Sequence, residues 1–220
     1  MRARLEDVAS IHAADGHPTS TGVSIAGVFH ATSRAAARMS ATRANGWAGL
    51  VADVAVSLAL IWLGLRRYDS HVSSAVGAIL SGLLAFSFVE YAFHRWLFHG
   101  HLRVIEEGHR KHHDEPRGYD SLPFFLAPLL MLTLAAALAC VLPTTIALLS
   151  SGALATGYAA YGSSHLAIHF MRFRHPLPRR WAAAHHVHHF HPDTNFGVTS
   201  PLWDIILGTR YVSRGNRRNS

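Results

Sequence analysis

A chain of 220 residues that is half hydrophobic and only 15% charged is too apolar for an ordinary soluble domain, in which about 25% of residues are charged. A formal net charge of +7 would admit nucleic acid, but low charge density with long apolar runs points to a bilayer instead, and no nucleic-acid partner is expected. One cysteine, Cys140, excludes a disulfide framework and a cysteine-built zinc site, whereas eighteen histidines far exceed a chance share.

Residues 1–46 are rich in Ala, Ser, Thr and Arg with little apolar periodicity, and read as a basic, disordered N-terminal tail. The stretch is Arg-rich and poor in acids, as transit peptides are, and lacks the apolar core of a secretory signal. Residues 47–220 then form the membrane-embedded domain. Its expected spans are 47–65 (WAGLVADVAVSLALIWLGL), 72–93 (VSSAVGAILSGLLAFSFVEYAF), 121–142 (SLPFFLAPLLMLTLAAALACVL) and 144–168, with Pro143 turning the chain between the last two. A helix of about 20 apolar residues crosses a hydrocarbon core of about 30 Å. Pro123 and Pro128 would kink the third span, which neighbouring helices tolerate. Helices of a soluble bundle would carry polar faces; these runs are apolar nearly all round.

Two hairpins of spans put residues 1–46, 94–120 and 171–220 on one side, with 18 Lys and Arg, and leave two, Arg66 and Arg67, on the other. This bias makes the first side cytoplasmic. The histidine clusters all fall on that side or at span ends facing it.

The clusters have regular spacing. His94 and His99 form HX4H; His109, His112 and His113 form HX2HH; His165 and His169 form HX3H; His185, His188 and His189 form HX2HH again. Positions i, i+3 and i+4 share a helix face, so each HX2HH projects three imidazoles together and HX3H projects two. Five residues turn an α-helix about 140° past its start, so His94 and His99 share a site only if the helix bends or ends between them. Glu90, four residues before His94, lies on the same face and is placed to ligate or to hold an imidazole N–H.

Ten imidazoles are too many for one zinc, which in catalytic sites takes three protein ligands. They divide between two metals, five each at most. Neutral imidazole suits Zn, Fe, Cu and Ni, and spacing does not choose among them. Without a metal so many bases would repel one another when protonated at about pH 6.5. His12, His17, His30 and His71 read as ordinary hydrogen-bonding side chains, His101 and His186 lie off the shared faces, and His191 precedes Pro192 where the helix ends.

The ordered set HX4H, HX2HH, HX3H, HX2HH resembles the fatty acid hydroxylase superfamily of integral-membrane, non-haem di-iron enzymes, which includes sterol desaturases and carotenoid hydroxylases. EYAFHRWLFHG, YGSSHLAIHF and HHVHHFHPDTNFGVTSPLWDIILGT are most similar to the fatty acid 2-hydroxylase branch, and the likeness runs from Glu90 to Thr209. The resemblance implies that His94, His99, His109, His112, His113, His165, His169, His185, His188 and His189 hold two iron ions, with zinc able to occupy such sites in purified protein. It implies an all-α, four-transmembrane-helix bundle with a cytoplasmic helical cap over the dimetal site, and O2-dependent hydroxylation of a lipid acyl chain, at C2 by branch similarity. The dimetal centre is itself the catalytic group; Glu90 and Asp204 are expected beside it, and Asn195 near it. The segment between His99 and His109 is shorter than in many members. The 220 residues hold no cytochrome b5-like stretch, so the expected electron donor is a separate ferredoxin or cytochrome-type protein. An acyl chain would enter from the lipid side; Phe86, Phe88, Phe93, Trp96 and Phe98 are placed to line its path, although aromatic residues of a membrane helix more often serve as packing or interface anchors.

Two alternatives stand beside this reading. One is a desaturase, or a carotenoid or sterol hydroxylase, of the same superfamily. The other is a non-enzymatic histidine-rich metal-binding protein; a carrier would place ionisable ligands along the membrane path, and only Asp53 and Glu90 enter the spans. The HExxH signature of zinc metalloproteases does not occur.

Overall fold

A computed structural model describes residues 36, 38–68, 72–100, 103–119 and 121–213. The expected tail through residue 35 lies outside them, as do His12, His17, His30, His71 and His101. All regular structure among the described residues is helical. The helices are α1 (Arg43–Arg66), α2 (Val72–Ala92) running into a π-helical turn (Phe93–Phe98), α3 (Arg103–Asp114), α4 (Leu126–Ala139), α5 (Thr144–Phe170), α6 (Pro176–Phe190) and α7 (Leu202–Ile206).

Helix α1 opens at Arg43, four residues inside the stretch read as a tail. The extended Thr42 caps it, its hydroxyl accepting the Asn45 N–H at 3.2 Å. Asn45 is buried and ties down the entry to α4: it donates to Ser121 Oγ and to the Leu122 carbonyl and accepts from the Phe124 N–H. Helix α4 is only 14 residues long, because residues 121–125 and Cys140–Leu142 turn rather than continue the apolar run as helix. Pro128 does not kink it. The ring stands in the first turn of α4, where a missing N–H costs no helical hydrogen bond.

Helix α5 is the hub, packing against α1, α2 and α4. Its buried residues are mostly small: Ala147, Ser151, Gly152, Ala153, Ala155, Gly157 and Ala159. Small residues let helix backbones approach closely, which is the main packing device between helices in lipid. A Cβ at Gly82 would stand 2.2 Å from the Ser150 carbonyl oxygen, and one at Gly157 would stand 2.4 Å from the Phe86 ring. Phe86 is therefore a packing residue of the α2–α5 contact and not part of an acyl path.

Outward, the chemistry is the reverse. Helix α1, and α2 with its π turn, are long and apolar enough to cross a membrane, and only 17% of the most apolar stretch of each is buried. Val51, Leu58, Trp62, Leu80 and Leu84 are exposed on these faces. The core helix of a soluble protein buries such residues; outward faces this apolar are those of a membrane protein.

The π turn resolves the HX4H spacing. It closes i→i+5 hydrogen bonds, among them His99 N–H to the His94 carbonyl at 3.3 Å, so residues five apart come onto one face.

Gly82→Ala is expected to lower the thermal midpoint in detergent, through a destabilisation on the order of 1–3 kcal/mol for a core overpacked by one methyl. Gly77→Ala, where an added Cβ meets nothing within 4 Å, should leave the midpoint unchanged or raise it. Equal responses of the two variants would contradict the close crossing at Gly82.

Candidate metal centre

Four elements carry the clustered histidines to one place: the π turn, α3, the end of α5, and α6. The histidines converge in two groups, each member offering one ring nitrogen and the nitrogens of a group lying within 4.8 Å of one another. The first is His94, His99, His109, His113 and His188; the second is His112, His165, His169 and His185. His189 stands beside the second, its Nε2 3.2 Å from that of His185. The groups abut, since the His113 ring stacks on His189 at 4.4 Å and His112 adjoins His113 in α3.

These contacts are not a hydrogen-bond network. His109 Nε2 lies 3.1 Å from His94 Nε2, 3.0 Å from His99 Nε2 and 3.1 Å from His113 Nε2. A ring nitrogen offers one proton or one lone pair, so at most one of the three is a hydrogen bond. Lone pairs aimed at a common point fit a cation. Nitrogens roughly 2.1 Å from a shared ion stand roughly 3.0 Å apart at right angles, the spacing seen around His109. In the second group His169 Nε2 is 3.1 Å from His185 Nε2, and the buried His112 Nε2 has no hydrogen-bond partner, an orphaned acceptor that a metal would satisfy.

Tautomers are fixed from behind. His94 Nδ1 donates to the Phe196 carbonyl at 2.5 Å and His188 Nδ1 to the Thr194 carbonyl at 2.8 Å. With the proton held on Nδ1, each Nε2 presents its lone pair inward. Burial, then the neighbouring imidazoles, pushes His109 down to about 2, His112 to about 3 and His189 to about 2. Burial likewise takes His188 to about 3, against its bond to Thr194. Neutral imidazole is the ligating form.

The loop after α6 is built to supply those carbonyls. Asn195 takes a left-handed φ of 54°, which asparagine adopts more readily than most residues. Its amide donates to the Ala184 carbonyl and accepts the Tyr211 N–H. Glu90 neither ligates nor holds an imidazole here. Its carboxylate accepts the Val198 and Thr199 N–H groups and the Thr199 hydroxyl. Asp204, almost fully buried, accepts the Phe196 and Gly197 N–H groups, each at 2.8 Å.

Other expected positions fall elsewhere. His186 is exposed, with its ring 5.8 Å from His169, and His191 stacks on Tyr211. Phe88, Phe93 and Trp96 face outward, and Phe98 stacks on His109 at 5.2 Å. An open cavity of about 560 Å³, lined by Glu115, Pro116, Arg117, Gly118, His169 and His186, reaches the second group.

The sequence profile of the fatty acid hydroxylase family matches residues 79–209, well over half of the chain and spanning every one of these histidines. The chain belongs to the fatty acid hydroxylase family. It is thereby an enzyme, a hydroxylase of lipid metabolism. Among relatives of this hydroxylase, a dihydroceramide fatty acyl 2-hydroxylase of Arabidopsis thaliana is 27% identical over 194 residues, 78% of this chain and 80% of that protein. The fatty acid 2-hydroxylase of Mus musculus is 31% identical over 159 residues, 66% of this chain and 42% of that longer protein. In fold, the hydroxylase is similar to the visible hydroxylase domain of Scs7p, with a TM-score of 0.67 at 23% identity, covering 80% of this chain and 69% of that one.

The depressed imidazoles set a pH dependence for the metal-stripped hydroxylase. Unfolded histidines take protons near about pH 6.5, whereas these stay neutral in the fold until far lower pH. Their contribution is fully present above about pH 6.5 and is lost as pH falls. The thermal midpoint of chelator-treated protein should drop steadily from about pH 7.5 to about pH 5. A flat midpoint across that range would show that the cluster holds protons in the fold.

Proposed function

We propose that this hydroxylase inserts oxygen from O2 into a lipid acyl chain, at C2, at a di-iron centre held by the ten clustered histidines. The observation that carries the reading is the convergence of nine ring nitrogens into two adjoining groups at the meeting point of four chain segments. The names of the relatives supply C2 as the position. His94, His99, His109, His113 and His188 would hold one iron, and His112, His165, His169 and His185, with His189 beside them, the other. Paired iron supplies the O2 chemistry that breaks an unactivated C–H bond, which no side-chain acid or nucleophile can do.

The chain's own part is to hold, to shield and to admit. The Phe196 and Thr194 carbonyls keep His94 and His188 in the ligating tautomer. Nitrogen donors without a thiolate suit an oxidising site; the only cysteine, Cys140, lies beyond α4, in another part of the chain. The cavity beside His169, lined by Glu115, Arg117 and His186, gives water and protons an approach to the second group. The acyl chain arrives from the lipid side, where Phe88, Phe93 and Trp96 are exposed.

The same reading makes the chain from α1 onward one membrane-embedded domain of four spans, with α3, α6 and α7 as a cap on the cytoplasmic face, and the residues that precede α1 a basic tail. The excess of Lys and Arg on the histidine side supports that orientation. Electrons come from a separate ferredoxin or cytochrome-type donor.

Expression in a host of known lipid composition, followed by lipid mass spectrometry, tests the reaction. Wild type should yield an acyl species heavier by one oxygen that disappears in His112→Ala; a species lighter by two hydrogens would make the protein a desaturase instead. Metal analysis of the purified chain should find about two atoms per chain, and a reproducible single atom would remove the paired centre.

A further inference from the structure

The two histidine groups are not supported alike. In the first, His94 and His188 both rest on backbone carbonyls. In the second, His185 Nδ1 is buried without a hydrogen-bond partner, as is Nδ1 of the neighbouring His189. Both carbonyl anchors of the first group trace back to one residue, Asp204. The Phe196 carbonyl shares its peptide plane with the Gly197 N–H, which Asp204 Oδ2 accepts at 2.8 Å. A peptide is planar, so fixing the N–H fixes the direction in which the carbonyl meets His94. The Thr194 carbonyl shares its plane with the Asn195 N–H, which donates to the Thr209 carbonyl at 3.0 Å. Thr209 is itself pinned to Asp204 twice, by its hydroxyl on Oδ1 at 2.7 Å and by its N–H on the Asp204 carbonyl at 2.9 Å.

We propose that Asp204 is a positioning residue that tightens metal binding at the five-histidine group and leaves the four-histidine group untouched, by orienting the Phe196 and Thr194 carbonyls that hold His94 and His188. This rests on reading the histidines as ligands. The carboxylate also polarises the Gly197–Phe196 peptide, making its carbonyl a stronger acceptor and His94 a stronger base. Glycine is required at 197 for the geometry: a Cβ there would stand 2.0 Å from the Ser200 carbonyl oxygen and 3.0 Å from Asp204 Oδ2. Asp204→Asn keeps the shape but turns an amide N–H₂ toward a backbone or hydroxyl donor, breaking one limb of the relay.

The test uses the full chain in detergent, loaded with zinc, and follows release to a chromophoric chelator. Wild type should release two zinc ions. Asp204→Asn should speed the release of one of them by about 10- to 100-fold, the usual cost of losing a partner that orients a ligand, and leave the other unchanged. His99→Ala and His165→Ala identify the phases: the effect of Asp204→Asn should vanish in the first background and persist in the second. Thr209→Val, which removes only the hydroxyl limb, should act on the same ion more weakly, and stands in if Asp204→Asn does not fold. Leu149→Ala, in the buried α1–α2–α5 contact, should lower the thermal midpoint without changing the ratio of the two release rates. Acceleration of both ions alike, or of neither, overturns the role of Asp204 while the paired centre stands. A wild-type chain that binds fewer than two zinc ions overturns the paired centre itself.

Discussion

Lone pairs that point at one another are the constraint on which the rest of the hydroxylase depends. Nine imidazole nitrogens crowded into two adjoining spaces repel, and burial disfavours their charged form. The arrangement persists because the surroundings keep the rings neutral and aimed, and a cation would turn the repulsion into attraction. Every local oddity of the chain serves that aim. The π turn brings His94 and His99 onto one face. The left-handed Asn195 turns the loop back so that its carbonyls meet His94 and His188 from behind. Two buried carboxylates, Glu90 and Asp204, spend themselves on the backbone of that loop.

The apolar helices make such crowding possible. In lipid there is no hydrophobic drive between helices, so close approach must come from small residues and satisfied polar groups. Helix α5 is made of both. Its buried Ala, Gly and Ser residues let α1 and α2 lie against its backbone, and its last turns carry His165 and His169 into the cluster. A helix that is the scaffold at one end and a wall of the site at the other couples its packing to the placement of His165 and His169.

How much of this the sequence shows depends on whether the signal resides in side chains. Spacing places three imidazoles on one face of α3 and of α6, and the structure brings nine of the ten expected histidines into the two groups, with His189 alongside. The HX4H pair is legible as an exception to α-helical spacing, although not as a π turn, because a π turn has no residue signature. Glu90 is misjudged by its register with His94: a shared face gives proximity, while three donors from residues 198 and 199 decide where the carboxylate points. Phe86 takes the packing role of the two open to it, because aromatic character alone does not distinguish a lipid path from a ring filling the space over Gly157. The Phe196 and Thr194 carbonyls carry no mark at all. Every residue has a carbonyl, and only the backbone course reveals which ones face an imidazole.

The unequal support of the two groups bears on how such a site works. A functional constellation is held in its geometry by the packing and hydrogen bonds behind its side chains. Here the stiffness is concentrated in the first group, behind His94 and His188, while the second carries an orphaned Nδ1 at His185 and the open cavity at His169. The second group thus has fewer hydrogen bonds behind its rings and an open cavity beside it. The division between a clamped and a less supported group is written in backbone hydrogen bonds rather than in the histidines themselves.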